Sequence, residues 1–597
     1  MHRWLLSLIP LLLTAPAFAE DSCGLPLDMP ELIFSDRFEQ EPAPALPELG
    51  VGLVADFVSP EFGGFGFVPM DDGQVLFRAS SDQSDNHLEL HITDGTPDGT
   101  DLFVDLREEG SSDPSPPQRI GDRFVFAAEG DASDGERELY MTDGTVEGTQ
   151  LVANLRADGD SSPGSFTPLG DDRMVFTAEG DASDGQRELY ITDFTEEGTE
   201  LLADLRVGDA SFPSALTALD DETIIFNASG DESGELPDLY VTDGTPAGTG
   251  LLVELFETGT PFSTFGPFVT ILGDGRGLFA ARGDETSGEV EVFVTDGTAD
   301  GTGPITNHLN PGDDSVGFAV SFTRLGDGRC VFAAAGEESD GEEELYVTDG
   351  SLDDPAGTEL LADLRAQDSS SPGQAQSLDD GRVVFNASGD ESDGNNELYI
   401  TDGTVAGTGL LANLQADGSS LPLRFEALGD GRVIFSARGD ESDGENELYM
   451  TDGTPEGTGL VANLTSGGNT FGPGFFEIVA LGDGRALMTV PSDASNGQLA
   501  AHLVGPVPSA PTVSAQADDG QITVTWDPLE DAQPVETYTV VIEAKNADTV
   551  VETTGADTTV LTVDGLTNGV VHTVTVTATS LLGDGVASDP VTATPGT

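Results

Sequence analysis

Short apolar runs alternate along most of the chain with clusters of Gly, Asp, Ser and Thr. Over residues 425–464 the order is Phe425-Glu-Ala-Leu-Gly-Asp-Gly-Arg432, Val433-Ile-Phe-Ser-Ala-Arg438, a Gly-Asp-Glu-Ser-Asp-Gly loop, Glu447-Leu-Tyr-Met-Thr451, an Asp-Gly-Thr turn and Gly459-Leu-Val-Ala-Asn-Leu464. Apolar runs bounded by turn residues read as four short strands in an antiparallel meander. The second and third, Val433 to Ala437 and Leu448 to Met450, are nearly continuous in apolar or β-prone residues and predict strands buried on both faces. The fourth alternates, with Leu201, Ala203 and Leu205 against Asp204, and predicts an outer strand with one wet side.

This unit recurs. A variant of Glu-Leu-Tyr-x-Thr-Asp-Gly-Thr-x-x-Gly-Thr is written eight times, with its aspartate at Asp94, Asp143, Asp193, Asp243, Asp296, Asp349, Asp402 and Asp452, spaced 49 to 53 residues apart. A period of about 40 to 50 residues with four strands per unit predicts a β-propeller. A sheet apolar on both faces must stack on neighbours, and closing the stack into a ring removes the exposed ends.

Fourth-strand segments begin near Leu53, Leu102, Leu151, Leu201, Leu251, Ile305, Leu360, Leu410 and Leu460, which makes nine. The first-to-third-strand segments also number nine when Phe476 to Met488 and the worn Gln498-Leu-Ala-Ala-His-Leu503 are counted as the last. The predicted fold is therefore all-β, with nine blades, or eight if the worn unit lies outside the ring. In the nine-blade arrangement residues 53–57 complete the blade formed by residues 475–504.

The recurring motif resembles the bacterial secreted proteins built from Glu-Leu-Trp-x-x-Asp-Gly-Thr repeats, with Tyr where that family has Trp. The resemblance covers residues 51–505 and implies a propeller-like β fold, but no particular activity. Departures are His91 and Phe293 at the Tyr position, Phe194 in place of the turn glycine, and the missing motif in the last unit. From about Pro508 a different pattern begins, with Pro511, Trp526 in Ile522-Thr-Val-Thr-Trp-Asp-Pro528, Tyr538, and Leu566-Thr-Asn-Gly569 before Val574-Thr-Val-Thr-Ala578. Residues 506–597 thus resemble a fibronectin type III sandwich, with Trp526 in its core, Leu566 at its corner, and His572 where that family has the corner Tyr.

The N-terminus reads as a secretory signal over residues 1–19: His2 and Arg3, an apolar stretch from Trp4 to Leu13, then Ala17-Phe18-Ala19. That stretch is too short for a membrane anchor, so the mature protein is expected to be exported, without insertion into a membrane. Residues 20–50, rich in Pro and Glu, predict a flexible tail, with Ile33 to Glu39 as a less polar interruption. Cys330 stands in an apolar strand at the place of Val383 and Val433 and reads as packing; a disulfide to Cys23 is the alternative.

Charge narrows the partners. The formal net charge of −87, with Lys545 the only lysine, repels nucleic acid and anionic membranes and favours cations or basic partners. The loop Gly-Asp-x-Ser-Asp-Gly-x-x-Glu before each signature supplies candidate calcium ligands: Asp131, Asp134 and Glu138; Asp181, Asp184 and Glu188; Asp390, Asp393 and Glu397; Asp440, Asp443 and Glu447. Hard cations take six to eight oxygens, and Asp at positions 1 and 4 with Glu at 8 offers several. The Glu337 copy replaces the first Asp, and the Asp231 and Asp284 copies lack the acid at position 4. The competing reading is that these side chains cap their own backbone turns. The Asp-Gly-Thr element reads as a hairpin turn.

A meander sends the loops after its second and fourth strands to one face of the ring, so the acidic loops share a face with segments such as Asp158 to Pro163. That face is the expected binding surface. The histidines show no ligand spacing, and neither a Gly-x-Ser-x-Gly elbow nor a phosphate loop is present. The expected function is non-enzymatic: an exported binding or scaffold protein, with calcium as the candidate cofactor and an extracellular protein or glycan as partner. The alternative is a secreted carbohydrate-active enzyme, a glycosidase or lyase, whose unique residues would sit in the irregular segments 258–268, 307–322 and 467–476.

Overall fold

The computed structural model describes residues 49–55, 65–233, 237–255, 269–282, 290–306, 322–352, 357–465, 470, 477–529, 534–545 and 549–596. The proposed signal peptide, the tail to residue 48, Cys23, residues 56 and 57 and nearly all of the three irregular segments lie outside this set.

Nine four-stranded antiparallel sheets follow one another along residues 49–506. Eight are simple meanders. In blade 8, for example, Leu423–Ala427, Val433–Arg438, Asn446–Thr451 and Gly459–Ala462 pair in sequence order. Blade 9 is composite: Ile478–Ala480, Ala486–Pro491 and Leu499–Pro506 are followed in space by Leu49–Ala55 from the other end of the chain. The expected closure is therefore present, and the closing strand starts four residues earlier than the predicted Leu53.

The ring closes through apolar seams between successive blades. Leu76 and Phe103 of blade 1 pack on Phe124, Phe126 and Tyr140 of blade 2. The last seam joins Leu487, Ala501 and Leu503 of blade 9 to Phe65, Val75 and Phe77 of blade 1. First strands of successive blades, such as Gly164–Pro168 and Ser214–Ala218, lie against one another and face the centre. Polar side chains tie this inner edge from blade to blade: the Glu477 carboxylate accepts the Gly66 and Phe67 amides, each at 2.9 Å.

The fourth strand departs from the predicted alternation. Leu201 packs into the seam between blades 2 and 3, whereas its neighbour Leu202 is buried in the next seam. The middle of the outer strand is covered on both faces because blades stand on either side of it, while Glu200 at its start and Asp204 just past its end are exposed.

Residues 513–593 form a two-sheet sandwich, one sheet of three strands and one built around Val535–Ala544 and His572–Ser580. Trp526 lies in its core 5.4 Å from the Tyr538 ring, and Leu566 packs against the same cluster. His572, at the expected corner position, is buried and makes a local bond from Nδ1 to the Val570 carbonyl at 3.0 Å. Among the described residues Cys330 is a free buried thiol, and burial pushes its pKa up to about 11.

Candidate functional site

Two sets of recurring loops carry nearly all the polar residues singled out above, and they lie on opposite faces of the ring. In the Asp-Gly-Thr turn of blade 7, Asp402 Oδ1 accepts the Thr404 amide at 2.9 Å and its hydroxyl at 2.6 Å. Thr404 Oγ1 accepts the Gly407 amide at 3.1 Å, and the Thr408 hydroxyl donates back to the Thr404 carbonyl at 2.7 Å. A Cβ on Gly407 would collide with the Asp402 carboxylate, so the second glycine of the motif is sterically required. The same bonds recur at Asp94, Asp143, Asp193, Asp243, Asp296 and Asp452. Threonine donors hold Asp143, Asp193, Asp243 and Asp402 below the usual carboxylate range.

An arginine stands at the start of the second strand in seven of the nine blades, Gln74 and Thr223 taking its place in blades 1 and 4, and it went unremarked in the sequence; in blades 5 and 7 it reaches into the turn of the following blade. Arg382 donates to the Gly453 carbonyl at 2.8 Å, and Arg276 to the Gly350 carbonyl at 2.6 Å. Each is aimed by the aspartate two residues before it: Asp380 at 2.7 Å and Asp274 at 2.8 Å. Phe194 replaces the turn glycine in blade 3, keeps its left-handed backbone at φ 67°, and lies under the Arg123 guanidinium at 5.0 Å. The signal in the sequence was the recurrent Gly-Asp-Gly-Arg.

On the opposite face the Gly-Asp-x-Ser-Asp-Gly segments form a single 3-10 turn. Ser392 is its centre: its hydroxyl takes the Gly389 amide at 3.2 Å, donates to the Asn395 carbonyl at 2.6 Å, and lies 3.0 Å from the Tyr399 hydroxyl. The tyrosine of the signature thus has a fixed partner in the preceding loop. Blades 1 and 9 change both ends of this contact: a serine stands where the other loops begin with glycine, and it is this serine that meets the histidine, His91 Nε2 lying 2.9 Å from Ser81 Oγ and His502 Nε2 2.8 Å from Ser492 Oγ. Position 2 of the loop, another feature the sequence reading missed, caps the outer strand, since Glu391 accepts the Leu410 amide at 2.9 Å and Glu441 the Leu460 amide at 3.0 Å.

The twelve candidate ligands separate into three roles. The position-1 acids Asp131, Asp181, Asp390 and Asp440 are exposed, and each accepts a backbone amide from the preceding inter-blade segment, at 3.2 to 3.4 Å. The position-4 acids Asp134, Asp184, Asp393 and Asp443 are exposed and left-handed, at φ 52° to 55°. The position-8 acids Glu138, Glu188, Glu397 and Glu447 are fully buried.

Those glutamates are clips. Glu397 Oε1 accepts the Ser420 amide at 3.0 Å, while Oε2 accepts the Leu414 amide at 3.0 Å and the Ser420 hydroxyl at 2.6 Å. Ser420 and Leu414 belong to the segment that crosses to the next blade. Glu138 holds Ser161 and Leu155 in this way, Glu188 holds Ser211 and Leu205, and Glu447 holds Thr470 and Leu464. Burial raises the pKa of all four above the usual range, against the lowering effect of these donors. The structure therefore brings positions 1 and 4 to the surface and turns position 8 inward. Among the described residues no three His, Cys, Asp or Glu side chains converge as a metal-holding group.

Residues 506–594 match the fibronectin type III domain. With the sandwich topology in place, the assignment is direct. The C-terminal segment is a fibronectin type III domain. Similar solved structures include a myokine, 26% identical, covering 15% of this chain and 99% of that chain, with a TM-score of 0.14. The FN5 domain of Drosophila Lar is 22% identical over 15% of this chain and 99% of that one, with a TM-score of 0.14. The fibronectin type III domain of human contactin 1 is 22% identical over 15% of this chain and 80% of that one, again with a TM-score of 0.14. Comparison with curated proteins gave no match.

Proposed function

We propose that this is an exported, non-enzymatic binding or scaffold protein of the Glu-Leu-Trp-x-x-Asp-Gly-Thr repeat kind. Its working surface is the acidic loop face of the propeller. The observation that carries this reading is the repetition of roles: turn aspartates, loop serines, signature tyrosines and clip glutamates each perform one structural task in blade after blade. A catalytic pair is singular, whereas these acids are general to the ring.

What the repeat leaves exposed is a set of aspartates, Asp131, Asp134, Asp181, Asp184, Asp390, Asp393, Asp440 and Asp443, at equivalent places on one face. Such a surface suits a multivalent contact with a partner that carries basic groups, or with a glycan bridged by cations. A protein-partner and glycan array, run with and without calcium, tests the reading. Retention of basic or glycan ligands that is lost when the exposed aspartates of two adjacent blades are changed to Asn supports it. Turnover of a polysaccharide panel without such retention overturns it. Calcium has its own test: occupancy at about 100 times the dissociation constant raises stability by roughly 2.7 kcal/mol, so a melting temperature identical in calcium and in chelator removes it.

A further inference from the structure

Blade 9 differs from the other eight in one covalent respect. Its third and fourth strands come from opposite ends of the chain, and no turn joins them. Where other blades make the Asp-Gly-Thr hairpin, Leu499–Pro506 runs straight on, pairing Val504 with Val51, Gly505 with Gly50 and Pro506 with Leu49, and then leads through Val507 and Pro508 into the sandwich. The loss of the motif from the last unit follows from this exit. It also leaves the closing strand held within blade 9 by non-covalent contacts alone, so peeling of Leu49–Ala55 from that blade is the natural first opening of the ring.

The fibronectin type III domain returns to that strand. Alternate residues share one face of a strand; Leu49 and Val51 face the seam with blade 8, whereas Gly50 and Gly52 face the other way. On the glycine face lies the turn at residues 580–583 of the sandwich. A Cβ on Gly52 would stand 2.5 Å from Leu581 Cγ, and one on Gly50 would collide with the Leu582 carbonyl. Leu582 is 3% exposed and belongs to the seam of blades 9 and 1, with Val54, Phe65, Leu487 and Leu503, rather than to the core of its own domain. Two bonds fix the approach: Leu582 N–H to Ser580 Oγ at 3.1 Å, and Val586 N–H to the Pro508 carbonyl at 3.0 Å.

We propose that the fibronectin type III domain is the latch of the ring: its Leu581-Leu582 turn, seated in the notch left by Gly50 and Gly52, holds the N-terminal closing strand in place. Docking of the sandwich and closure of the propeller are then coupled equilibria, and whatever loosens one loosens the other. The domain is a part of the closure and not a free spacer.

Hydrogen exchange on the full chain tests this from both sides. Leu582→Asp places a charge in the seam without touching the sandwich core. Gly52→Val fills the notch without changing the sandwich at all, and it puts a better strand former into the closing strand. In both variants the amides of residues 49–55 are expected to exchange at least about 10-fold faster, while those of Ile224–Ser229 in blade 4, far from this seam, keep their rates. Retained protection of His572–Ser580 in Leu582→Asp shows that the sandwich itself is folded; if it is lost, the Gly52→Val result alone decides. Unchanged or slower exchange of residues 49–55 in Gly52→Val overturns the proposal, as does unchanged exchange there in a folded Leu582→Asp.

Discussion

A buried carboxylate that accepts three bonds from one crossover segment is a demanding residue to replace, and its chemistry distinguishes it from a surface acid. At Glu397 both oxygens act only as acceptors, from Ser420 and Leu414. Glu397→Ala leaves these buried donors unpaired and is expected to lower stability by about 2 kcal/mol, whereas Glu397→Gln, which resembles the neutral acid that burial favours, is expected to lose less. Chemical denaturation measures both; an Ala variant within about 0.5 kcal/mol of the parent would show that the clip is idle. The histidines make a second case. His91 and His502 occupy the tyrosine place and burial lowers their pKa, so the folded state prefers them neutral. As pH falls below about 6.5 the unfolded chain takes up protons that the folded chain refuses, and stability is lost. A tyrosine hydroxyl needs glycine at the head of the loop, since a Cβ on Gly439 would collide with the Tyr449 hydroxyl. The double change His502→Tyr with Ser492→Gly therefore restores the arrangement of the other blades and is expected to raise the melting temperature more at pH 5 than at pH 7.5. An equal effect at both values would mean that His502 does not titrate in the unfolded chain alone.

Elements here are specified by neighbours as much as by their own sequence. The strand pattern, the nine-fold count and the N-terminal closure were all legible because period and apolar runs are properties of one chain segment at a time. Asp204 is exposed as expected, just past the end of its strand, but Leu202 on the same side is buried because Leu201 and Leu202 serve two different seams, and only the stacked ring supplies the second. The acidic loops were legible as loops, but the inward turn of Glu138 or Glu397 depends on a serine 23 residues later in the next crossover. The arginine contacts were invisible for a similar reason, since Arg382 meets a turn some 70 residues away. Phe194 tests how such a contact between elements is balanced. Changing it to Gly relieves the φ of 67° by about 1 to 2 kcal/mol, yet removes a buried ring worth about 1.5 to 3 and its Arg123 stacking worth about 0.5 to 1. The loss outweighs the relief, so Phe194→Gly is expected to destabilise by about 1 kcal/mol. A stabilised variant would show that the backbone strain dominates and that Phe194 is a defect of the repeat.

At the scale of the whole molecule, charge and burial act in the same direction over most of the pH range. A chain of formal net charge −87 repels itself, and lowering the pH removes that repulsion. Burial raises the pKa of the clip acids Glu138, Glu188, Glu397 and Glu447, of Glu89 and Glu344, which hold Ser112 and Ser370 in the same way, and of Glu426 and Glu477, which accept the Ala480 and Gly66 amides at the inner edge. Each of these takes up a proton in the folded state before the unfolded chain does, so each adds stability as pH falls through its raised value. His91 and His502 oppose this below about pH 6.5, but they are two groups against eight. The turn aspartates Asp143, Asp193, Asp243 and Asp402 set the lower limit: their pKa values are depressed, and the stability they lend is lost as pH falls through them. The melting temperature is therefore expected to rise from about pH 7.5 to about pH 5 and to fall again below about pH 3.5. Salt separates the two causes. Screening acts on the surface repulsion and little on buried carboxylates, so about 1 M NaCl should raise the melting temperature at pH 7.5 and flatten, without abolishing, the rise toward pH 5. A rise that vanishes completely in salt would assign the whole effect to surface charge and leave the clip glutamates ionised in the folded ring throughout.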